Sequence, residues 1–417
     1  MNFWQGKQVI VGIGGGIAAY KTLEVIRRLK EAGAAVIPVP TPAGLHFVTE
    51  LTLQSLAGGP VHKELLHSIK PGEMDHIQLA RKADLVLIAP TTADLMARMA
   101  AGQADDLLTT LLLARQGPVL AAPAMNPAMW SHPATQRNLA CLQSDGIHFI
   151  GPESGSMACG ETGTGRMAEP ATILEAARRL LAPKSLAGRR ILITAGPTRE
   201  ELDPVRFISN HSSGKMGWEI AQAALRTGAQ VDLLLGPVAM PPPLGATLWP
   251  VVSAIEMFDT TMNLWQKNLY DAAILTAAVA DYRPEHRQTK KIKKGEIPTE
   301  ITLLLTPNPD ILASLSAWTR EHQTHGKPRI IIGFAAETGD ALNKGLAKLI
   351  RKQCDLLAIN DVTAPGCGFG SDTNAITLID HHGLQEAWPL LPKEQVAQRL
   401  IATLAHRLNT PTLEPPP

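Results

Sequence analysis

The same local pattern, a short apolar strand followed by a glycine-containing connection and an amphipathic helix, occurs twice in this chain. The first copy predicts a strand at Gln8–Val11, a turn at Gly12–Gly16 and a helix at Ile17–Glu31. The second copy predicts a strand at Ile191–Thr194 and a helix at Gly217–Arg226. Each helix is followed by a glycine and another apolar run, which completes a βαβ unit. Two such units, roughly 180 residues apart, predict two doubly wound α/β domains rather than one large sheet.

Continuous apolar runs predict the remaining strands, because parallel strands are covered on both faces. These strands are Ala34–Val39, Leu85–Ala89, Val119–Ala122 and His148–Ile150 in the first half, and Val231–Leu235, Ala272–Thr276, Ile330–Phe334 and Leu356–Ile359 in the second. Between the halves, Leu181–Gly188 has the composition of a linker. We therefore expect domains at 1–184 and 185–409, and a disordered proline-rich tail at 410–417.

Charge and composition argue against several classes of protein. The chain has 39 basic and 38 acidic residues, whereas proteins that coat nucleic acid are strongly basic. No apolar run approaches the ~20 residues of a membrane helix, and Met1–Gly6 has no feature of a signal peptide. Four scattered cysteines do not form a disulfide framework. We expect a cytoplasmic protein with no nucleic-acid or membrane partner.

Ligands of open parallel sheets bind beyond the carboxyl ends of the strands, so the residues that follow each strand are candidates for chemistry. In the first half these residues are small or carry a hydroxyl or amide: Gly14, Gly15, Gly16, Thr41, Pro90, Thr91, Thr92, Ala93 and Asn126. The backbone amides of a glycine turn at a helix N-terminus suit a phosphate. A tight βα connection without a ligand is the alternative.

The glycine turn matches only part of the dinucleotide fingerprint. GxGxxG requires glycine where Ile17 stands, and the second strand ends in Pro40 and Thr41, where an NAD site offers a carboxylate to the ribose. The neighbouring threonine hydroxyls favour a mononucleotide such as FMN. NAD is the minority interpretation.

Three further side chains of the first half suit proton transfer or carboxylate binding. Asp75 and Gln78 have the spacing of a capping box, so His76 would begin a helix as a neutral base. Asn126 can hold a carboxylate without the cation that would stabilise it against loss as CO2. Cys159 lies in a glycine-rich loop and can donate a proton when that loop closes. The structural alternatives are a solvated histidine, an asparagine that caps or turns the chain, and an idle thiol.

Longer segments of the sequence resemble two enzyme families. In the first half, GGGIAAYK, PTTAD, PAMN and SGSMACGETGTGRM resemble the flavin-dependent cysteine decarboxylases. In the second half, ITAGPTREELDPVRFISNHSSGKMG, AAVADYR, KIKK and GFAAET resemble the CTP-dependent phosphopantothenate–cysteine ligases. The order of the halves, over about residues 5 to 405, resembles that of the bifunctional bacterial coenzyme A biosynthesis family. The resemblance implies a flavodoxin-like flavoprotein domain followed by a Rossmann-like ligase domain.

For the first half, the resemblance implies FMN-dependent decarboxylation of 4′-phosphopantothenoylcysteine to 4′-phosphopantetheine. FMN would oxidise the cysteine thiol to a thioaldehyde, which gives the carboxylate the electron sink it needs to leave as CO2. Carried over by motif, His76 is the catalytic base, Asn126 contacts the substrate carboxylate and Cys159 donates the final proton. One residue departs from the family pattern: Gly14 stands where serine is usual, so a hydroxyl contact to the FMN phosphate is missing.

For the second half, the resemblance implies joining of 4′-phosphopantothenate to L-cysteine through an acyl-cytidylate made from CTP. Asn210 would support that intermediate, Lys291 would close over phosphate charge, and Asp281 would hold Mg2+ at the triphosphate. The remaining CTP and substrate contacts would be Ser212, Ser213, Gly214, Lys215, Ala277, Ala278, Pro309, Asp310, Ile311, Leu312, Phe334, Lys348 and Lys352. Among these, Phe334 can stack on the cytosine. The family also implies a homo-oligomer, with a trimer-based decarboxylase core and ligase dimers.

Outside the motifs, other interpretations stand. The lysines of 290–294 would be a solvated run, and Lys348 and Lys352 would share an exposed helix face. Two alternative functions are an NAD-dependent oxidoreductase with two Rossmann domains and a flavin-binding scaffold without turnover. The NAD interpretation lacks the third glycine and the ribose carboxylate in both halves, since Leu235 is followed by Gly236 and Pro237.

Overall fold

The computed structural model of the chain describes residues 3–65, 75–156, 160–293, 302–322, 329–337, 341–361, 366–367 and 370–410. The chain divides into two compact units, Met1–Ala182 and Pro183–Pro417. This division falls inside the predicted linker, two residues before the predicted boundary. Over the described ranges, no helix has both the length and the apolar character needed to span a membrane.

The first unit alternates strands and helices along most of its length. Its strands are β1 (Gln8–Ile13), β2 (Ala35–Pro40), β3 (Leu85–Thr91), β4 (Val119–Pro123), β5 (Ile147–Phe149), β6 (Glu153–Ser156) and β7 (Thr162–Arg166). Its helices are α1 (Ala19–Glu31), α2 (Glu50–Ala57), α3 (Asp75–Lys82), α4 (Ala93–Ala100), α5 (Leu107–Ala114), α6 (Pro127–Ser131), α7 (Pro133–Ser144) and α8 (Pro170–Leu181), with a 3-10 turn at Gly44–His46.

Five parallel strands of the first unit form one sheet in the order β2-β1-β3-β4-β5. This is the flavodoxin order, in which the direction of the connections reverses between β1 and β3. Successive residues of β1 lie in different cores: Val9 and Val11 pack in one hydrophobic cluster, and Ile10 packs in the other. The central strands are thus buried on both faces, which confirms the predicted α/β class. The antiparallel pair β6–β7 forms a separate ribbon.

The second unit contains a longer set of elements. Its strands are β8 (Arg190–Ala195), β9 (Arg199–Glu201), β10 (Phe207–Ser209), β11 (Gln230–Leu235), β12 (Thr247–Pro250), β13 (Ala272–Leu275), β14 (Tyr282–Pro284), β15 (Leu305–Pro307), β16 (Ile330–Glu337), β17 (Leu356–Asp361), β18 (Thr373–Asn374), β19 (Ile376–Asp380), β20 (Gly383–Ala387) and β21 (Leu391–Pro392). Its helices are α9 (Lys215–Arg226), α10 (Ala254–Lys267), α11 (Ile311–Glu321), α12 (Ala341–Lys352) and α13 (Lys393–Asn409).

Eight strands of the second unit form its main sheet, in the order β12-β11-β8-β13-β16-β17-β19-β20. The first six are parallel, and in chain order they read 3-2-1-4-5-6, which is the Rossmann order. The direction of the connections reverses between β8 and β13. An antiparallel hairpin, β19–β20, extends one edge and was not predicted. The two strand orders confirm two doubly wound domains, the first of them flavodoxin-like.

The helices that follow the glycine-containing connections begin at different points from those predicted. Helix α1 begins at Ala19 rather than Ile17, because the chain first makes a turn in which the Ala19 amide donates to the Gly16 carbonyl. Helix α9 begins at Lys215, two residues earlier than predicted, directly after Gly214. Gly214 has a φ of +73°, a left-handed conformation that favours glycine. The glycine therefore sets the point at which the helix starts.

Candidate active sites

The first candidate site is a cavity of about 1110 Å3 at the carboxyl ends of β1 and β3. This is the reversal point of the first sheet, where ligands of such folds bind. Of the residues predicted for this half, seven line the cavity: Gly14, Gly15, Gly16, Thr41, Thr92, Ala93 and Asn126. Pro90 and Thr91 lie behind the wall. The Pro90 carbonyl accepts a hydrogen bond from the Gly14 amide, and the buried Thr91 hydroxyl donates to the Ile88 carbonyl.

The glycine turn is packed too closely for side chains at its first two positions. A Cβ atom on Gly14 would lie 2.5 Å from the Pro90 carbonyl oxygen, and one on Gly15 would lie 2.4 Å from the Cβ of Ala43. Gly16 has more room, with its nearest neighbour, Thr92, at 3.5 Å. The serine usual at position 14 would therefore require this backbone to shift. The close packing of the turn explains why this chain has glycine at position 14.

The two threonine hydroxyls at the cavity already have partners in the protein. Thr41 donates to the Ile13 carbonyl at 3.1 Å and accepts from the Gly44 amide at 3.0 Å. Thr92 accepts from the Leu95 amide at 3.2 Å and so caps helix α4. A capping hydroxyl accepts through its oxygen, so Thr92 keeps its hydrogen for a ligand. Thr92 is the better placed of the two to donate to a phosphate.

A charged cluster that was not predicted also lines the cavity. The Arg98 guanidinium lies 2.8 Å from Asp105, 2.5 Å from Asp106 and 3.9 Å from Asp94. Its Nε atom is buried and has no hydrogen-bond partner among the described residues. An unpaired buried donor carries a free-energy cost. The cavity volume lies just above the range of ligand pockets, roughly 300–1,000 Å3, and the residues that line the cavity fit a flavin mononucleotide.

Asn126 lines the cavity and also begins a helix. Its side-chain oxygen accepts from the Ala128 amide at 2.8 Å, which caps α6. Its side-chain nitrogen donates to the carboxylate of Glu161, a residue just before β7. The capping role is therefore confirmed, whereas contact with a substrate carboxylate stays a prediction, because the carboxylate bound here belongs to Glu161.

Two of the predicted catalytic residues lie at the limits of the described structure. His76 is the second residue of α3, so the helix begins at Asp75, one residue earlier than the capping pattern predicts. The side chains of Asp75 and His76 lie outside the described residues, as does Cys159. The described strands β6 and β7 place the ends of its loop beside the cavity, where Ser156 and Arg166 contribute to the wall.

The second candidate site is a cavity of about 220 Å3 at the carboxyl ends of β8 and β13, the reversal point of the second sheet. Nine predicted residues line it: Ala277, Asp281, Pro309, Asp310, Ile311, Leu312, Phe334, Lys348 and Lys352. Thr194, Leu275, Val279, Ala280 and Asn308 also line it and were not predicted. Thr194 and Leu275 stand at strand ends, so the rule that indicated the other candidates could have found them.

Two lysines of α12 enter this cavity from one helix face. Lys352 forms an ion pair with Asp310, and Lys348 lies 3.4 Å from Glu337. Burial lowers the pKa of Lys352 below its ordinary value, and the carboxylate of Asp281 opposes this shift. The lysines are therefore not an exposed surface row. Together with Phe334, they give the cavity the cations and the aromatic ring that a nucleotide requires.

The predicted phosphate loop lies next to this site at the start of α9. The Ser212 hydroxyl accepts from the Gly214 amide at 3.3 Å, and Lys215 forms an ion pair with Asp372. Ser212 and Ser213 do not line the cavity. Asn210 connects their loop to the cavity wall, because its side-chain nitrogen donates to the Val279 carbonyl at 2.9 Å and lies 3.4 Å from the Ala278 carbonyl.

Lys291 lies on the surface of the second unit, on the amino-terminal side of Ile292. Within the described ranges, no group of three or more His, Cys, Asp or Glu side chains is arranged to hold a metal ion. Mg2+ at a nucleotide is commonly held by one or two carboxylates together with the phosphates. Asp281 at the edge of the second cavity fits that arrangement.

Comparison with known proteins gives matches along nearly the whole chain. Residues 4–182 match the Flavoprotein family, and residues 186–408 match the DNA/pantothenate metabolism flavoprotein C-terminal domain. The chain is 48% identical over 401 residues to the coenzyme A biosynthesis bifunctional protein CoaBC of Vibrio vulnificus strain YJ016, covering 96% of this chain and 98% of that protein. It is 46% identical over 408 residues to CoaBC of Escherichia coli K12, with coverage of 97% and 98%.

Solved structures match the halves separately. A crystal structure of the C-terminal domain of CoaBC is 37% identical and covers 54% of this chain and 98% of that one, with a TM-score of 0.44. A mutant PPC decarboxylase in complex with pantothenoylaminoethenethiol is 35% identical and covers 41% of this chain and 96% of that one, with a TM-score of 0.39.

Proposed function

The chain belongs to the family of coenzyme A biosynthesis bifunctional proteins, and from that membership we propose which residues carry each of its two reactions. The enzyme is a phosphopantothenoylcysteine decarboxylase in its first half and a phosphopantothenate–cysteine ligase in its second. Within each half, the reaction is assigned to the cavity at the reversal point of its sheet.

In the first half, the glycine turn Gly14–Gly16 at the start of α1 holds the FMN phosphate. The Gly14 and Gly16 amides donate to the Pro90 and Gly14 carbonyls, so the Gly15 amide and the Thr92 hydroxyl are the donors to the phosphate. FMN supplies the two-electron chemistry that makes the substrate carboxylate a leaving group. Arg98 also lines this cavity, where Asp105 and Asp106 hold its guanidinium. Pro90, Thr91 and Thr41 stabilise the glycine turn and the strands next to it through hydrogen bonds within the protein.

The observation that carries the decarboxylase assignment is the orientation of Asn126. Its oxygen is occupied by the cap of α6 and one hydrogen of its nitrogen by Glu161, so the second hydrogen of the nitrogen is the donor that can reach a carboxylate in the cavity. A neutral donor orients the carboxylate without the ground-state stabilisation that a cation would give. His76 acts as the base on the substrate, and Cys159 returns the proton. Both of these roles rest on the sequence motifs.

In the second half, CTP occupies the cavity formed by β13, β16 and α12. Phe334 stacks on the cytosine, and Lys348 and Lys352 neutralise phosphate charge or donate hydrogen bonds to the ribose hydroxyls. The triphosphate extends toward Ser212, Ser213, Gly214 and Lys215 at the start of α9, with Mg2+ held by Asp281 and the phosphates. Asn210 holds the acyl-cytidylate that 4′-phosphopantothenate and CTP form with loss of pyrophosphate, and the amine of L-cysteine attacks it. Lys291 closes over the site and stabilises the phosphate charge.

We also propose a cytoplasmic homo-oligomer with a trimer-based decarboxylase core and ligase dimers. Large apolar side chains at the rim of the first cavity support an interface there, since Ile17 is 61% exposed and Tyr20 is 59% exposed. Light scattering coupled to size exclusion would measure the assembly. A monomer that keeps both activities would contradict this part of the proposal.

The test of the whole assignment is a division of labour between two variants. His76→Asn should abolish decarboxylation and spare ligation, and Asn210→Asp should abolish ligation and spare decarboxylation. Carbon dioxide release and CTP-dependent pyrophosphate release measure the two reactions in the same preparation. If either variant loses both reactions while it remains folded, the assignment of one reaction to each half is wrong.

The purified protein should also show the visible bands of bound oxidised flavin, whereas an NAD-dependent oxidoreductase would be colourless.

A further inference from the structure

A buried carboxylate closes the turn between β9 and β10. Asp203 is only 1% exposed, and its Oδ1 atom accepts from the backbone amides of Val205, at 2.7 Å, and Arg206, at 2.8 Å. The intervening residue, Pro204, has no amide hydrogen to offer. One oxygen of the carboxylate is therefore used entirely within the turn.

The other oxygen of Asp203 reaches a distant part of the sequence. Its Oδ2 atom accepts from the backbone amide of Ile292 at 3.0 Å. The Ile292 carbonyl accepts from the Arg206 guanidinium at 2.9 Å, and that guanidinium lies 3.7 Å from Asp203. Both backbone polar groups of Ile292 are thus held by side chains of the β9–β10 turn.

The segment before Ile292 lies along the same hairpin. The Gln288 amide donates to the Leu202 carbonyl at 2.9 Å, and Arg287 forms an ion pair with Glu201. Of these contacts, the one to Asp203 is the most protected from water, because Arg287 and Glu201 are 60% and 42% exposed. Exposed ion pairs contribute roughly 0–1 kcal/mol, so the buried carboxylate is the main attachment point of residues 287–292.

Asp203 is suited to this task at neutral pH because it stays ionised. Burial alone would raise its pKa, but the amides of Ile292, Val205 and Arg206 and the Arg206 charge lower the pKa below its ordinary value. A hydrogen bond to an ionised acceptor is about twice as strong as one between neutral groups.

We propose that Asp203 is a positioning residue of the ligase, which fixes Ile292 so that the adjacent Lys291 is presented to the nucleotide phosphates. Lys291 itself is exposed and free to reach a ligand, whereas the backbone beside it is tied to a buried carboxylate. The same hairpin continues through β10 to Asn210. The Asp203 carboxylate therefore fixes the backbone from which both Lys291 and Asn210 project, although these two residues are far apart in the sequence. The proposal rests on the role of Lys291 given under the proposed function.

The test compares Asp203→Asn with Glu201→Gln in the full-length protein. An asparagine can keep its oxygen toward Val205 and Arg206, but its nitrogen cannot accept from the Ile292 amide. We expect hydrogen exchange of residues 287–293 to rise and the kcat of ligation to fall roughly 10- to 100-fold. The KM for CTP should change less than about threefold, since uniform binding is retained. Glu201→Gln removes an exposed carboxylate of the same hairpin and should leave kcat within about twofold.

Slow hydrogen exchange in β8 and β13, the central strands of the same unit, reports whether each variant is folded, and the decarboxylase activity serves only to normalise the amount of protein. Ile292→Pro removes the donor rather than the acceptor, and so tests the same hydrogen bond if Asp203→Asn does not fold. Unchanged exchange of residues 287–293, or full ligase activity despite raised exchange, would overturn the positioning role.

A double-variant cycle with Lys291→Met separates this inference from the proposed function. If Asp203 acts through Lys291, then Asp203→Asn should cause no further loss of kcat in the Lys291→Met protein. Losses that multiply would show that Asp203 acts by another route. Full ligase activity of Lys291→Met alone would instead refute the role of Lys291, and the exchange measurement would still report the Asp203–Ile292 hydrogen bond.

Discussion

The side-chain nitrogen of Asn126 donates a hydrogen bond to the carboxylate of Glu161, while the oxygen of the same amide caps helix α6. The two contacts use both ends of the amide within the protein. The nitrogen keeps one further hydrogen, and this is the donor that a substrate carboxylate would meet.

Asn126→Asp tests this orientation. Aspartate is as good a helix cap as asparagine, but it would repel the carboxylate of Glu161, so the variant is made in a Glu161→Gln background, in which the melting temperature should hold. The donor, however, becomes a negative charge that repels a substrate carboxylate, and decarboxylation should fall roughly 100-fold or more. Carbon dioxide release measures the loss, with pyrophosphate release by the other half as the control. An Asn126→Asp protein that decarboxylates at the normal rate would remove Asn126 from the site.

Gly15→Ala and Gly16→Ala form a matched pair in the glycine turn. A Cβ on Gly15 would overlap Ala43 at 2.4 Å, whereas the nearest atom to one on Gly16 is at 3.5 Å. We expect Gly15→Ala to destabilise the first unit by about 1–3 kcal/mol, as overpacking does, and Gly16→Ala to change its stability by less than about 0.5 kcal/mol. Chemical unfolding of the flavin-free protein measures both. Equal stabilities would show that the turn relaxes without cost.

Lys352→Met should weaken CTP binding, because Lys352 is the more enclosed cation of the second cavity. Its side chain is 14% exposed, against 28% for Lys348. We expect the KM for CTP to rise roughly 10-fold or more, the equivalent of one charge-assisted hydrogen bond. Arg351→Gln removes an exposed charge from the same helix and should leave the KM unchanged. Equal effects of the two changes would indicate general electrostatics rather than a contact.

Asp84 makes the folding stability of the first unit depend on pH in the acid range. Its carboxylate accepts from the Gln8 amide at 2.8 Å and from Lys7 at 3.0 Å. Burial alone would raise the pKa of Asp84, but these two donors lower it below its ordinary value of 3.8. A carboxyl group with a lowered pKa stabilises the fold above its unfolded-state pKa, and this contribution is lost as the pH falls through the folded-state value.

The stability difference between the wild-type protein and Asp84→Asn should therefore be constant near neutral pH and shrink below pH 3.8. Urea unfolding midpoints of the first unit at a series of pH values measure it. A difference that grew as the pH fell would mean that Asp84 is protonated in the folded protein.

The strand ends were predictable because hydrophobic periodicity and glycine position are local signals. Gly14 and Thr92 were found this way, since each directly follows a buried strand, and Asn126 was found three residues beyond the end of β4. At the second cavity, Phe334 lies within β16 rather than after a strand, and the family motifs indicated both Asp281 and Phe334. The family motifs added residues such as Lys352, which spacing alone would have assigned to an exposed surface.

Contacts between distant parts of the chain were not predictable from either kind of signal. Arg98 reaches Asp105 and Asp106 across a helix connection, and its unpaired Nε depends on the packing around it. The hydrogen bond from Ile292 to Asp203 joins residues 89 positions apart. The stretch before Lys290 shows no recognisable sequence pattern. It contacts the β9–β10 hairpin through a backbone hydrogen bond, from Gln288 to Leu202, and almost any residue type can form such a bond. The antiparallel β19–β20 edge lacks the continuous apolar run by which parallel strands are recognised.

Each sheet contains its own reversal point, and every strand neighbour of β1–β5 belongs to the first unit, as every neighbour in the eight-stranded sheet belongs to the second. Among the strands that the structure describes, a cut in the peptide between Ala182 and Arg190 would separate no hydrogen-bonded pair. Two catalysts with self-sufficient frameworks can be inherited as one gene or as two, and selection can adjust the turnover of one without redesigning the scaffold of the other.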